Sequence, residues 1–283
     1  MTSCSRLRYL EAHPRSAVAW PADRPLAGTL VLLHAFPVGA RMWEPQHAIA
    51  ASGWRVVMPQ FRGFDCPTPD GADAQTLDDY AGDVSDLLDT LSVSRAVIGG
   101  LSMGGYVAFA LYRRRPELFS GLILADTRAE ADTPDARTNR QRLIALAGSG
   151  GAAAIADEMV PKLLGATTRA TQPAVEARLR ALIGANRPAA IQAALTGMMT
   201  RDEATSLLPA IDVPSLVIVG EEDALTPPAL SRTMASALPN ATLAVIPGAG
   251  HLSNLEQPQA FNAEVEGFLE SMQAQTPGNP SPI

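Results

Sequence analysis

Hydrophobic and polar positions along this chain follow two alternating periods. Continuous apolar or β-branched runs recur at 29–33, 54–58, 96–98, 121–125, 216–219 and 242–246, each followed by Gly, Pro or Asp. A run without polar alternation marks a strand buried on both faces, and the punctuation after it marks the strand's end. Helical patterns lie between the runs. Leu77, Tyr80, Val84, Leu87, Leu88 and Leu91 share one helical face behind a Thr76/Asp79 capping box, and Phe261, Val265, Phe268 and Leu269 stripe a closing helix over 256–272. Asp78, Asp79, Asp83, Asp86 and Asp89 occupy the opposite face of the first helix and read as a solvated surface. Strands alternating with helices predict the α/β class: a mostly parallel sheet with helices on both faces.

The rhythm breaks over 128–208, which holds no strand pattern, is rich in Ala and Arg, and reads as four short helices; it resumes at Pro214. The predicted organisation is therefore a core of 1–127 and 209–272, with 128–208 inserted as a helical cap over the sheet edge. The Pro/Gly/Gln-rich tail 273–283 is expected to be disordered. No internal repeat of 20–50 residues is visible.

Composition narrows the function classes. The chain has 283 residues, 47% hydrophobic and 18% charged, which is ample material for one large core. A net charge of −7 without a basic stripe argues against nucleic acid. No stretch reaches the apolar length of a membrane span, and the first twenty residues lack the apolar h-region and cleavage site of a signal peptide. Cys4 and Cys66 have no metal or redox spacing and read as unpaired thiols in a reducing compartment. The expectation is a soluble, cytoplasmic protein with no nucleic-acid or membrane partner; oligomeric state is not readable.

The candidate chemistry sits at the ends of the strands. Gly100-Leu101-Ser102-Met103-Gly104 matches G-x-S-x-G between a short buried run and an apolar helical stretch closed by Arg113, Arg114, Arg115 and Pro116. That strand–turn–helix context is what a nucleophile elbow requires; the alternative is a glycine-rich turn with an incidental serine. A serine hydroxyl needs a base, and His251 lies in a glycine-rich loop after the last predicted strand, at the edge where open α/β sheets bind ligands. The acid that orients it should follow an earlier strand: Asp223 is the first choice, with Glu221, Glu222 and Asp126 as competitors. An oxyanion would take N–H donors from Met103 and Phe36, since Pro37 has none. His34, ending the first long strand, reads as a hydrogen-bonded structural residue. Trp43, Met159, Leu163, Met198 and Met199 are candidates for an apolar acyl pocket, with ordinary core packing an equal alternative.

Four ordered signatures, HAFP at 34–37, GLSMGG at 100–105, GEEDALTPP at 220–228 and GAGHLSNLEQP at 248–258, make the chain resemble the α/β-hydrolase superfamily over 5–272. The elbow and the histidine loop are similar to those of 3-oxoadipate enol-lactonase-like proteins, small esterases, lactonases and cofactor-free perhydrolases. The resemblance implies a helical cap between the sixth and seventh family strands. Two departures are His34-Ala35 in place of HG, and Gln60 to Pro67 in place of D-x-R-G-x-G-x-S. The serine sets the chain apart from fold relatives that use an aspartate nucleophile.

The resulting expectation is a serine hydrolase acting on small carboxylic esters or lactones through an acyl-enzyme, without metal or cofactor. The alternatives are perhydrolysis or C–C hydrolysis on the same residues, or a ligand receptor with weak hydrolysis. A phosphate loop is disfavoured because the glycine run 99–105 lacks Lys-Ser/Thr, and no G-x-G-x-x-G follows a strand.

Overall fold

A computed structural model of the chain describes residues 7–14, 21, 25–64 and 76–274. Cys4, Cys66, the end of the departing loop (65–67) and the tail beyond 274 lie outside the described residues.

Seven strands form one sheet: β1 (Tyr9–Ala12), β2 (Gly28–Leu33), β3 (Trp54–Pro59), β4 (Ala96–Leu101), β5 (Phe119–Ala125), β6 (Ser215–Gly220) and β7 (Ala241–Ile246). Their order is β1-β3-β2-β4-β5-β6-β7; β1 pairs antiparallel with β3 and every other pair is parallel. All six apolar runs are strands. The seventh, β1, escapes the pattern because it is a four-residue edge strand with one buried residue, Ala12. Every residue of β4 and β6 is buried, so the sheet is covered on both faces, as its unbroken apolar runs require. The edge strand β7 instead alternates, and leaves Val245 exposed.

A 3-10 segment (Ala40–Ser52) follows β2, α1 (Leu77–Thr90) follows β3, and α2 (Met103–Arg114) follows β4. The capping box forms as its sequence predicts: the Asp79 N–H donates to Thr76 Oγ1 at 3.1 Å, and the Thr76 N–H to Asp79 Oδ2 at 2.9 Å. Between β5 and β6 lie α3 (Pro134–Leu163), α4 (Ala166–Thr171), α5 (Pro173–Gly184) and α6 (Pro188–Met199), the helical insertion expected over 128–208. Gly151, at φ 67° and ψ −164°, is not helical and divides α3 into two arms, 134–150 and 152–163. Taken end to end, residues 134–163 are long and apolar enough to cross a bilayer by length and composition alone. Here Leu143, Ala147, Ile155, Val160 and Leu163 are buried inside the protein, and the kink leaves two arms each shorter than the roughly 20 residues of a span. The chain closes with α7 (Pro228–Ala237), α8 (Ser253–Glu256) and α9 (Pro258–Ala274). The closing helix predicted over 256–272 is α9, which starts at Pro258, a residue suited to a first helical turn.

Parallel pairing aligns the strand ends. Leu33 pairs with Gly100, Leu101 with Ala125, and Gly220 with Ile246, so the loops after β2, β4, β5, β6 and β7 emerge at one edge of the sheet. That edge carries the site.

Candidate active site

Ser102 sits between β4 and α2 with φ 52° and ψ −112°, a conformation that side chains seldom adopt. Glycine makes the turn possible. A Cβ on Gly100 would lie 2.2 Å from the Gly104 backbone, and one on Gly104 would lie 2.1 Å from the Leu33 carbonyl. The strand and helix therefore approach too closely for any other residue, and the turn lifts the Ser102 hydroxyl to the sheet edge.

His251 enters from the loop after β7. Its Nε2 lies 2.8 Å from Ser102 Oγ and its Nδ1 2.8 Å from Asp223 Oδ2. A carboxylate only accepts, so Nδ1 carries the ring proton and Nε2 is left to accept from the serine. All three side chains are nearly inaccessible, with Ser102 at 9%, Asp223 at 3% and His251 at 3% exposure.

The carboxylates that sequence left open separate by what they touch. Asp223 alone of the four reaches His251. Its Oδ1 accepts the N–H groups of Leu225 (2.8 Å) and Thr226 (2.9 Å), and its Oδ2 accepts the Thr226 hydroxyl at 2.6 Å. Glu222 accepts from the Thr167 N–H and hydroxyl, and Glu221 from the Gly248 N–H. Asp126, at φ 44°, ties three loops together: it accepts from the Gly220 N–H (2.8 Å) and from the Ser253 N–H and hydroxyl (3.2 and 2.5 Å).

Charge is distributed unevenly among these groups. Burial opposes ionisation of His251, but the Asp223 charge and hydrogen bond outweigh it and hold the imidazole above its ordinary value. Burial likewise pushes the Asp223 carboxyl up, and the His251 charge and its hydrogen-bond donors bring it below the usual carboxylate value. Burial and the nearby Asp223 charge raise the Asp126 carboxyl to about 8, outweighing the His251 charge and the hydrogen bonds from Ser253 and Gly220.

Phe36, in the loop after β2, lines the cavity beside Ser102 and His251, and Met103 opens α2, where the first N–H groups of a helix have no intrahelical partner. His34 supports the Phe36 loop. Its Nδ1 donates to the Ala35 carbonyl at 2.9 Å and its Nε2 accepts the Phe61 N–H at 3.1 Å, so it is the bonded structural residue expected. Burial lowers its pKa to about 4, which keeps the ring neutral.

Ser102 and His251 open on a cavity of about 180 Å³ under the insertion, lined on its apolar side by Phe36, Leu143, Met159, Leu163, Met198 and Leu225. Met159, Leu163 and Met198 are thus at the cavity as expected. Trp43 and Met199 are not. Trp43 is buried on the 3-10 segment, its ring 6.0 Å from Phe261 of α9, and belongs to the core. Met199 follows Met198 on α6, about 100° further round the helix, and is half-buried away from the cavity.

Sequence reasoning missed the polar wall: Arg128, Asp132, Asn139 and Arg140, with Tyr106 and Thr226 beside them. The only cue was proximity, since Arg128 follows a strand end by three residues and Thr226 follows Asp223 by three. Among the described residues no group of three or more His, Cys, Asp or Glu side chains is arranged to hold a metal.

The chain is similar to several known proteins. BpoC of Mycobacterium tuberculosis (strain ATCC 25618 / H37Rv), classed by its name with the non-heme bromoperoxidases, is 31% identical over 83% of this chain and 90% of its own length. A thermophilic esterase from Thermogutta terrifontis, solved with malate bound, superposes with a TM-score of 0.85 at 35% identity, covering 94% of each chain. An enol-lactonase from Burkholderia xenovorans LB400 superposes at 0.82 with 28% identity, covering 93% of this chain and 96% of its own. The model of the alpha/beta hydrolase family matches residues 30–264, and the chain belongs to that family.

Proposed function

We propose that this protein hydrolyses small carboxylic esters or lactones through an acyl-enzyme on Ser102. The observation that carries the reading is the unbroken chain of contacts from Ser102 Oγ through His251 to Asp223, each link 2.8 Å long. His251 Nε2 takes the hydroxyl proton as Ser102 Oγ bonds to the carbonyl carbon, and the N–H groups of Phe36 and Met103 hold the oxyanion. Collapse of the tetrahedral adduct breaks the ester C–O bond, and His251 returns the proton to the departing alkoxide. Water repeats the cycle on the acyl-enzyme and frees the acid. A cavity of about 180 Å³ under the insertion favours small substrates. Similarity to an esterase and to an enol-lactonase supports the ester and lactone classes.

Similarity to a protein named as a non-heme bromoperoxidase supports a second reading, in which hydrogen peroxide replaces water as acyl acceptor and the product is a peracid. Assaying peracid release from the same esters with added peroxide separates the two. For the primary reading, Ser102→Ala is expected to abolish turnover of short p-nitrophenyl esters while retaining the circular dichroism of the parent. Full activity in that variant overturns the assignment.

A further inference from the structure

The charges around the cavity are paired, with one exception. Asp132 is held between two arginines: Arg140 grips it through Nε and Nη2, and Arg201 Nη1 donates to it at 2.5 Å. Arg201 is further fixed by the Met198 and Glu130 carbonyls and lies 4.2 Å above the Tyr106 ring. Arg128 is the exception. It is half-buried and lines the cavity beside Ser102 and His251, and one terminal nitrogen donates to the Leu225 carbonyl. Among the described residues it makes no ion pair, and its charge acts on His251.

A guanidinium taken partly out of water without a counter-charge is unfavourable, and the deficit disappears when a ligand carboxylate completes it. The planar fork of arginine matches a carboxylate in two parallel hydrogen bonds, and only one terminal nitrogen of Arg128 is occupied. The sign of this wall also runs against the whole molecule. A chain of net charge −7 repels anions at a distance, yet two arginines and one aspartate line its cavity.

We propose that Arg128 is the carboxylate-binding residue of the cavity, and that the protein's substrates are small esters or lactones bearing a free carboxylate. This rests on the reading of Ser102 as nucleophile, and the test keeps the two apart. The kcat/KM for mono-p-nitrophenyl succinate and glutarate is compared with that for neutral p-nitrophenyl esters of equal acyl length. A parallel pair places the carboxylate on the alcohol side, acetylglycolate against methyl acetylglycolate. In at least one pair the wild-type protein should prefer the anion tenfold or more, and added salt should erode the preference. Arg128→Gln should bring that ratio to within about threefold of unity, and Arg128→Lys should restore part of it.

Calorimetry supplies the readout that needs no turnover: glutarate or glycolate should bind Ser102→Ala, and bind at least tenfold more weakly to Ser102→Ala/Arg128→Gln. Wild-type ratios at or below one in both pairs, or a preference that survives Arg128→Gln, overturn the proposal. If no ester of either charge is cleaved but the dicarboxylate still binds through Arg128, the hydrolase reading falls and the anion site stands.

Discussion

Ser102 holds its backbone at φ 52° in the tight turn that Gly100 and Gly104 make possible between β4 and α2. Such a conformation costs about 1–3 kcal/mol for a residue with a Cβ. Replacing Ser102 by Ala keeps that cost and replacing it by Gly removes it, so Ser102→Gly should melt about 2 °C or more above Ser102→Ala in a thermal scan. Equal melting temperatures would show that the turn is unstrained. The His251–Asp223 contact makes a kinetic prediction. The base works only when neutral, and Asp223 holds the imidazole above its ordinary 6.5, so kcat/KM should rise with pH through an inflection above that value. Asp223→Asn should cut kcat by about 10⁴ and move the inflection to lower pH, because the anion that stabilises the imidazolium is gone. A loss under tenfold, with the inflection unmoved, contradicts the role given to Asp223. Asp126→Asn tests the competitor. Asp126 bonds Gly220 and Ser253 and not His251, so this variant should lose far less rate than Asp223→Asn.

At the scale of elements, the site was legible wherever a strand end announced it. Ser102 and His251 each follow a buried apolar run, and parallel pairing brings those ends to one edge whatever the helices do. The choice among Glu221, Glu222 and Asp223 was not legible from a strand end alone. It is settled by a turn in which a short side chain accepts the N–H groups two and three residues on, which suits Asp223 better than its longer neighbours. Facing direction was harder still. Trp43 and Met199 are apolar like Met159 and Met198, and only the packing of α9 and the phase of α6 send them elsewhere. The cavity's arginines were invisible for the opposite reason, since a charge in an Ala/Arg-rich helical stretch reads as solvated surface. Thr226 belongs to the same class. Thr226→Val removes the hydroxyl that donates to Asp223 Oδ2, and should lower kcat roughly tenfold, the equivalent of about 1.4 kcal/mol.

Across the whole molecule, the insertion is tied to the histidine loop. The His251 N–H donates to the Leu163 carbonyl at the end of α3 (3.0 Å). The buried Glu256 carboxylate accepts from Gly165 in the insertion (2.8 Å) and from Gly250 and Leu252 on either side of His251 (2.9 and 3.2 Å). Folding of the insertion and placement of the base are therefore coupled. Glu256→Gln faces an amide nitrogen toward at least one buried N–H and should cost about 1–3 kcal/mol in denaturant unfolding. A wild-type unfolding midpoint would show that these bonds are dispensable.

The account depends most on one property, the nucleophilic attack of Ser102 Oγ. Incubation with a p-nitrophenyl fluorophosphonate probe followed by peptide mass spectrometry reads it directly. One adduct per chain on the peptide containing Ser102, lost in Ser102→Ala and matched by loss of esterase activity, is the predicted result. Label on another residue, or undiminished hydrolysis by a chain whose Ser102 is fully labelled, would contradict it.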